Sequence, residues 1–186
     1  LLNTGFAAPQ LADVCAREGV AVVIADDEFG DRLEDLPRTC VRLDGVRERS
    51  AGRSGDPLPA PNRPGGLVLL TSGTTGTPKG APRDSIRPLQ SAQLLDRIPW
   101  PRRSTYCVAA PLFHATGLAT CSVGLALGNR VVLSRRFDPR ATLSAVERYR
   151  ATAVVLVPTM LSRILDLGPA VLADYETSSL KVLFAA

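Results

Sequence analysis

The sequence predicts an α/β fold of three layers, a largely parallel sheet flanked by helices. Three observations carry this. Short apolar runs alternate with longer segments of helical periodicity all along the chain. The run Val20 to Ala25 is continuously apolar, which suits a parallel strand covered on both faces. Hydrophobic residues make up 45% of the 186 positions and charged ones 22%, enough to bury a substantial core.

Pro9 to Glu18 reads as a short amphipathic helix with Leu11, Val14 and Cys15 on one face, ended by Gly19. Val20 to Ala25 is the first strand, and Val41 to Leu43 a second, short one. Residues 45–66 change character: glycine and proline crowd into them, so they predict a loop or linker. Leu67 to Leu70 is a strand running directly into a Thr/Gly-rich segment. Asp84 to Ile98 reads as a helix, Tyr106 to Ala110 as a strand, and Ala115 to Leu127 as a buried helix ended by Gly128-Asn129. Arg130 to Ser134 is a strand. Asp138-Pro139 opens a helix, with Asp as N-cap and Pro at the first helical position, and Leu143, Val146 and Tyr149 on its buried face. Ala153 to Val157 is a strand, Pro158 begins another helix, and Lys181 to Phe184 is the last strand. The segments are therefore 1–44 as a first α/β piece, 45–66 as the linker loop, and 67–186 as a second α/β piece. The chain opens on Leu1-Leu2-Asn3 and stops inside an apolar run, so both ends are expected to be cuts. A sheet cut in this way has open edges, and self-association through them is expected.

Composition narrows the function. The net charge is +4, carried by scattered arginines without a dense basic tract, which argues against nucleic-acid binding. No apolar run approaches the ~20 residues of a membrane span. The cysteines Cys15, Cys40, Cys107 and Cys121 show no CxxC spacing, and His114 is the single histidine. Free thiols in a reducing compartment and no metal site are the expectation. A cytoplasmic location follows, with peripheral membrane contact left open.

The chemistry concentrates in Thr71-Ser72-Gly73-Thr74-Thr75-Gly76-Thr77-Pro78-Lys79-Gly80. Gly73, Gly76 and Gly80 let a backbone fold tightly with its N–H groups inward. Thr71, Ser72, Thr74, Thr75 and Thr77 supply hydroxyl donors, Lys79 a full positive charge, and no acid is present to repel phosphate. At the carboxyl end of a parallel strand, such a loop would sit where α/β proteins bind ligands. The Walker pattern G-x-x-x-x-G-K-[ST] fails here: Pro78 takes the place of its second glycine and Gly80 that of its Ser/Thr.

This ten-residue pattern closely resembles the phosphate-binding signature of the adenylate-forming superfamily. Pro111-Leu112-Phe113-His114 with Gly117 resembles that family's next motif, and Val157-Pro158-Thr159-Met160-Leu161 a later one. Leu2-Asn3-Thr4-Gly5-Phe6 with Gln10-Leu11 is similar to the start of its preceding region. The Leu-Phe-His form favours the acyl- and aryl-CoA synthetases, and the combination favours the bacterial fatty-acid–CoA ligases. The resemblance implies part of that family's large N-terminal domain, without its C-terminal domain. It implies a two-step reaction. A carboxylate attacks the α-phosphate of Mg-ATP, and coenzyme A then takes the acyl group. ATP, Mg2+ and CoA are the implied cofactors and co-substrates, and a carboxylic acid, fatty rather than aryl, the substrate. Residues Thr71 to Gly80 would hold the departing phosphates, with Lys79 and Thr74 as catalytic candidates. Lys79 either contacts phosphate or pins the loop to a carboxylate. His114, Phe113 and Gly117 would line the acyl pocket. Read on its own, a histidine beside apolar residues more often holds a hydrogen-bonded structural role; the motif brings the two readings level, and ordinary core packing suits Phe113 and Gly117 nearly as well. After Gly80 the chain departs from the family with Ala81-Pro82-Arg83-Asp84-Ser85. The family's adenine, ribose, hinge and catalytic-lysine motifs are absent from these residues, and Lys181 takes no such role. The 186 residues alone are therefore expected to be inactive. An acyl-AMP or aryl-acid ligase, or a non-catalytic nucleotide-binding module, are the alternatives.

Overall fold

The structure is a computed structural model. It describes residues 1–34, 36, 39–57, 59–62, 66–71, 79–83 and 97–186, and of 44, 47, 49, 69, 71 and 79–83 the backbone alone. It forms two compact units, Leu2–Asp84 and Ser85–Ala186. Among the described residues no helix is long and apolar enough to cross a membrane.

In the first unit, helix α1 (Ala8–Arg17) buries Leu11, Val14 and Cys15, the face its spacing predicts. Leu11 and Cys15 pack with Val23 and Leu36 in a small core. Strand β1 (Val22–Ala25) is followed by a 3-10 turn (Asp27–Phe29) and the short helix α2 (Gly30–Leu33). Strand β2 (Thr39–Arg42) then pairs parallel to β1, with Val22 opposite Thr39 and Ala25 opposite Arg42. Two expectations need correction here. Val23 is 6% exposed, but Val22 and Ile24 are 51% and 59% exposed, so β1 is covered on one face rather than both. Residues Leu43–Ser50, expected to be loop from 45 onward, form helix α3. Its few apolar side chains and Gly45 disguise it in sequence.

The same unit holds strands β3 (Leu67–Thr71) and β4 (Lys79–Arg83). They pair antiparallel, Leu67 with Arg83 through to Thr71 with Lys79, as a separate two-stranded sheet. This corrects the expectation that Leu67 to Leu70 is a parallel strand. Pro82 does not prevent the pairing, because both strands are edges and a missing N–H is tolerated there.

The second unit is a parallel sheet in the order β6-β5-β7-β8. Strand β5 (Thr105–Val108) leads through helix α4 (Ala115–Ala126) to β6 (Arg130–Leu133). Helix α5 (Pro139–Tyr149) joins β6 to β7 (Ala153–Leu156). Helices α6 (Pro158–Leu165) and α7 (Pro169–Leu172) precede β8 (Val182–Ala185). One sheet face places Tyr106, Val108, Ala153, Val155 and Val182 against Trp100 and against Val123 and Leu127. The opposite face places Cys107, Val154 and Leu156 against Leu143, Val146 and Ile164. That is the expected three-layer arrangement, with α4 on one side and α5 and α6 on the other.

Local signals account for the helix ends. The Asp138 carboxylate accepts from the Ala141 N–H at 2.8 Å, with Pro139 first in α5. Gly128 turns the chain after α4 with φ +72°, a value glycine adopts freely. One correction concerns α4 itself, expected to be buried: Leu125 is 61% exposed. An uncharged composition does not reveal which side of a helix lacks a neighbour. Of the helix expected over Asp84 to Ile98, residues 84–96 lie outside the described ones, Arg97 is helical and Ile98 is not.

Candidate functional site

The predicted site residues fall in both units, and each group is described within its own. In the first unit, Thr71 and Lys79 are direct partners and Leu70 opposes Gly80. The ladder thus reaches both ends of the Thr/Gly-rich segment. Ser72, Gly73, Thr74, Thr75, Gly76 and Thr77 lie outside the described residues. What the structure brings together is the pair of strand ends from which they spring.

In the second unit the four parallel strands present their carboxyl ends along one edge, where open α/β sheets place ligands. Strand β5 runs out there through Ala109 and Ala110, whose N–H groups both donate to the Val155 carbonyl, at 3.0 and 3.1 Å. The chain then turns at Pro111, with the His114 N–H donating to the Pro111 carbonyl at 3.0 Å. Phe113 is half-buried and His114 exposed. His114 is the N-cap of α4, and its Nδ1 accepts from the Thr116 N–H at 3.4 Å. A helix start leaves N–H groups without internal partners, and here an imidazole answers one of them.

Gly117 is buried one turn into α4. A Cβ built on it would stand 2.3 Å from the Pro111 carbonyl oxygen and 2.6 Å from that of Ala110. Only a residue without a side chain lets the helix start this close to the strand end. Thr116, which sequence reasoning missed, donates its hydroxyl to the Ala186 carbonyl at 3.1 Å, joining α4 to the end of β8. A threonine at the second helical position is too ordinary to have signalled this. The contact joins residues 70 positions apart.

The segment from Ser104 to Asn129 contains no charged side chain apart from the titratable His114. An anionic acid approaching His114 would meet no like charge from it. Cys107 lies on the α5 side of the sheet, and burial pushes its thiol up to about 11. It stays a neutral thiol and is no nucleophile. Burial also raises the Cys121 thiol. All four cysteines are free, and Cys40 alone is exposed. No group of three or more His, Cys, Asp or Glu side chains that could hold a metal ion occurs among the described residues.

A family model described as AMP-binding enzyme matches residues 1–186. The chain belongs to the AMP-binding enzyme family. Among its relatives is the Probable CoA ligase CCL5 of Humulus lupulus. It is 32% identical over 187 residues, which cover 95% of this chain and 32% of that protein. A feruloyl-CoA synthase from Amycolatopsis sp is 34% identical over 166 residues, 88% of this chain and 34% of that one. The chain thus spans about a third of the length of these relatives. In fold it is similar to the N-terminal domain of FACL13 from Mycobacterium tuberculosis, with a TM-score of 0.82 at 23% identity. That match covers 99% of this chain and 49% of that one. The expected fold, an α/β arrangement that is part of the N-terminal domain of adenylate-forming enzymes, is thereby shown.

Proposed function

We propose that this AMP-binding chain supplies the phosphate grip and one wall of the acid site of an ATP-dependent acid–thiol ligase. The carrying observation is the Thr71–Gly80 segment, whose ends β3 and β4 hold in direct register. In this reading a carboxylic acid displaces pyrophosphate from ATP at the α-phosphorus, and the thiol of coenzyme A then displaces AMP from the acyl carbon. The hydroxyls and N–H groups of residues 71–77, with Lys79, steady the charge that builds on the leaving phosphates. Thr74 and Lys79 carry most of that effect. His114, Phe113 and Gly117 form the wall along which the acid lies, with His114 nearest its carboxylate. Magnesium would enter with the nucleotide. It would neutralise charge on the phosphates as pyrophosphate departs. The protein acts in the cytoplasm.

A fatty acid is the first substrate reading. An aryl acid is the second, favoured by the feruloyl-CoA synthase that is 34% identical over 88% of this chain. The decisive experiment is acid-dependent exchange of labelled pyrophosphate into ATP by the longer protein that contains these residues, run with octanoate, palmitate and ferulate. Lys79→Ala and Thr74→Ala should each lower the exchange roughly 100-fold, the scale of losing one transition-state donor. Exchange that survives both substitutions unchanged would sink the reading. The 186 residues alone should show none.

A further inference from the structure

His114 is the chain's single histidine, and among the described residues its ring is engaged at one nitrogen only. Nδ1 accepts the Thr116 N–H. In a neutral imidazole an accepting nitrogen carries no proton, so the proton sits on Nε2. The donor that fixes this arrangement is itself held from several sides. The Thr116 hydroxyl donates to the Ala186 carbonyl at 3.1 Å, and the Leu118 N–H to the His114 carbonyl at 3.1 Å. The next residue, Gly117, is wedged against the Ala110 and Pro111 carbonyls. His114 is exposed, with its acceptor occupied and, among the described residues, its donor without a partner.

We propose that Thr116 is the positioning residue for His114. Its N–H, anchored through its own hydroxyl to the end of β8, holds His114 as the Nε2–H tautomer. The free Nε2–H is then aimed at the carboxylate of the acid. The assignment of that last partner rests on the ligase reading above; the tautomer and its dependence on Thr116 do not. An Nε2–H donor suits an acid that must enter ionised, because it grips one carboxylate oxygen and leaves the other to attack phosphorus. The opposite tautomer would present a lone pair to an anion.

The test is nitrogen NMR of the 186-residue chain labelled only in histidine, where one residue gives the whole spectrum. In the neutral ring, the proton should sit on Nε2 as a single tautomer. Thr116→Pro removes the donating N–H, and the ring should revert to the mixed tautomers of a free imidazole. Thr116→Val keeps the N–H but removes the anchor, and should shift the spectrum part of the way; Thr116→Ser should restore it. The dispersion of the backbone amide spectrum reports folding of each variant. A proton on Nδ1 overturns the proposal, as does a Thr116→Val spectrum identical to the wild type. Adding octanoate or ferulate should move the Nε2–H resonance, and an unmoved resonance overturns the carboxylate half. Absence of pyrophosphate exchange in the longer protein, with the tautomer intact, would count against the ligase reading alone.

Discussion

Gly117 lies directly behind the Pro111 carbonyl: a Cβ on Gly117 would sit 2.3 Å from that oxygen. No rotamer relieves such a contact, because both partners are backbone. Gly117→Ala should therefore force α4 away from the end of β5 at a cost of about 2–3 kcal/mol, typical of overpacking a tight site. Urea unfolding of the two forms measures this. A loss under about 0.5 kcal/mol, the range of ordinary surface changes, would show that α4 is free to slide.

Cys107 predicts a pH dependence. Its thiol is raised in the fold from an ordinary 9.0 to about 11 by burial alone. The unfolded chain therefore ionises first. The stabilisation is fully present below pH 9, falls as pH rises, and is lost by about pH 11. Two units correspond to roughly 2–3 kcal/mol. Cys107→Ala should flatten this part of the alkaline stability curve, whatever it costs in packing at neutral pH. Parallel curves for the two proteins between pH 8 and 11 would refute the assignment. In the native protein, thiol alkylation should mark Cys40, the exposed one, well before Cys107.

At the start of α5, the Asp138 carboxylate answers the Ala141 N–H at 2.8 Å. Asp138→Ala should cost about 1 kcal/mol, and Asp138→Ser much less, since a serine oxygen can take the same proton. Thermal unfolding in buffer of modest ionic strength distinguishes a lost cap from a lost surface charge. Asp138→Asn, which keeps an accepting oxygen without the charge, should stay near the wild type.

At the other end of α5, Arg150 occupies the left-handed region with φ +46°. A side chain there is strained by about 1–2 kcal/mol, and glycine removes that strain while adding freedom to the unfolded chain. Arg150→Gly should raise stability by about 0.5–1 kcal/mol, net of the two effects. A decrease in the unfolding midpoint would mean that the arginine side chain contributes more than its backbone strain removes.

The elements that sequence reading placed well are those written in local chemistry. Asp138-Pro139 announces α5, Pro158 announces α6, and Gly128 closes α4. Each is settled within four or five residues, so no distant partner is needed. The apolar runs that became β5, β7 and β8 are short and flanked by turns, which leaves little choice but strand. What was missed depends on neighbours. Whether Val22 and Ile24 are covered depends on what stands across from β1, and that is not written in β1. The antiparallel partnership of Thr71 with Lys79 is set by a register summed over two strands, one of them disguised by Pro82. At the candidate site, the motif around His114 was legible because its residue types are distinctive. The bond from Thr116 to Ala186 was not, since it joins an ordinary side chain to a backbone oxygen far along the chain.

The pairing of Thr71 with Lys79 has a thermodynamic consequence. Bringing the two ends of a flexible loop together costs entropy that grows with its length. Here the hydrogen-bonded ladder from Leu67 to Arg83 has already met that cost in the folded chain. Under the proposed function, a phosphate would not have to bring these two strand ends together, so less of its binding energy goes into ordering them. The ladder also meters the loop. A slip of one residue in register would lengthen or shorten the span between the partners by one. In the proposed reading, the spacing of the grip is thus set outside it, by the alignment of two short strands.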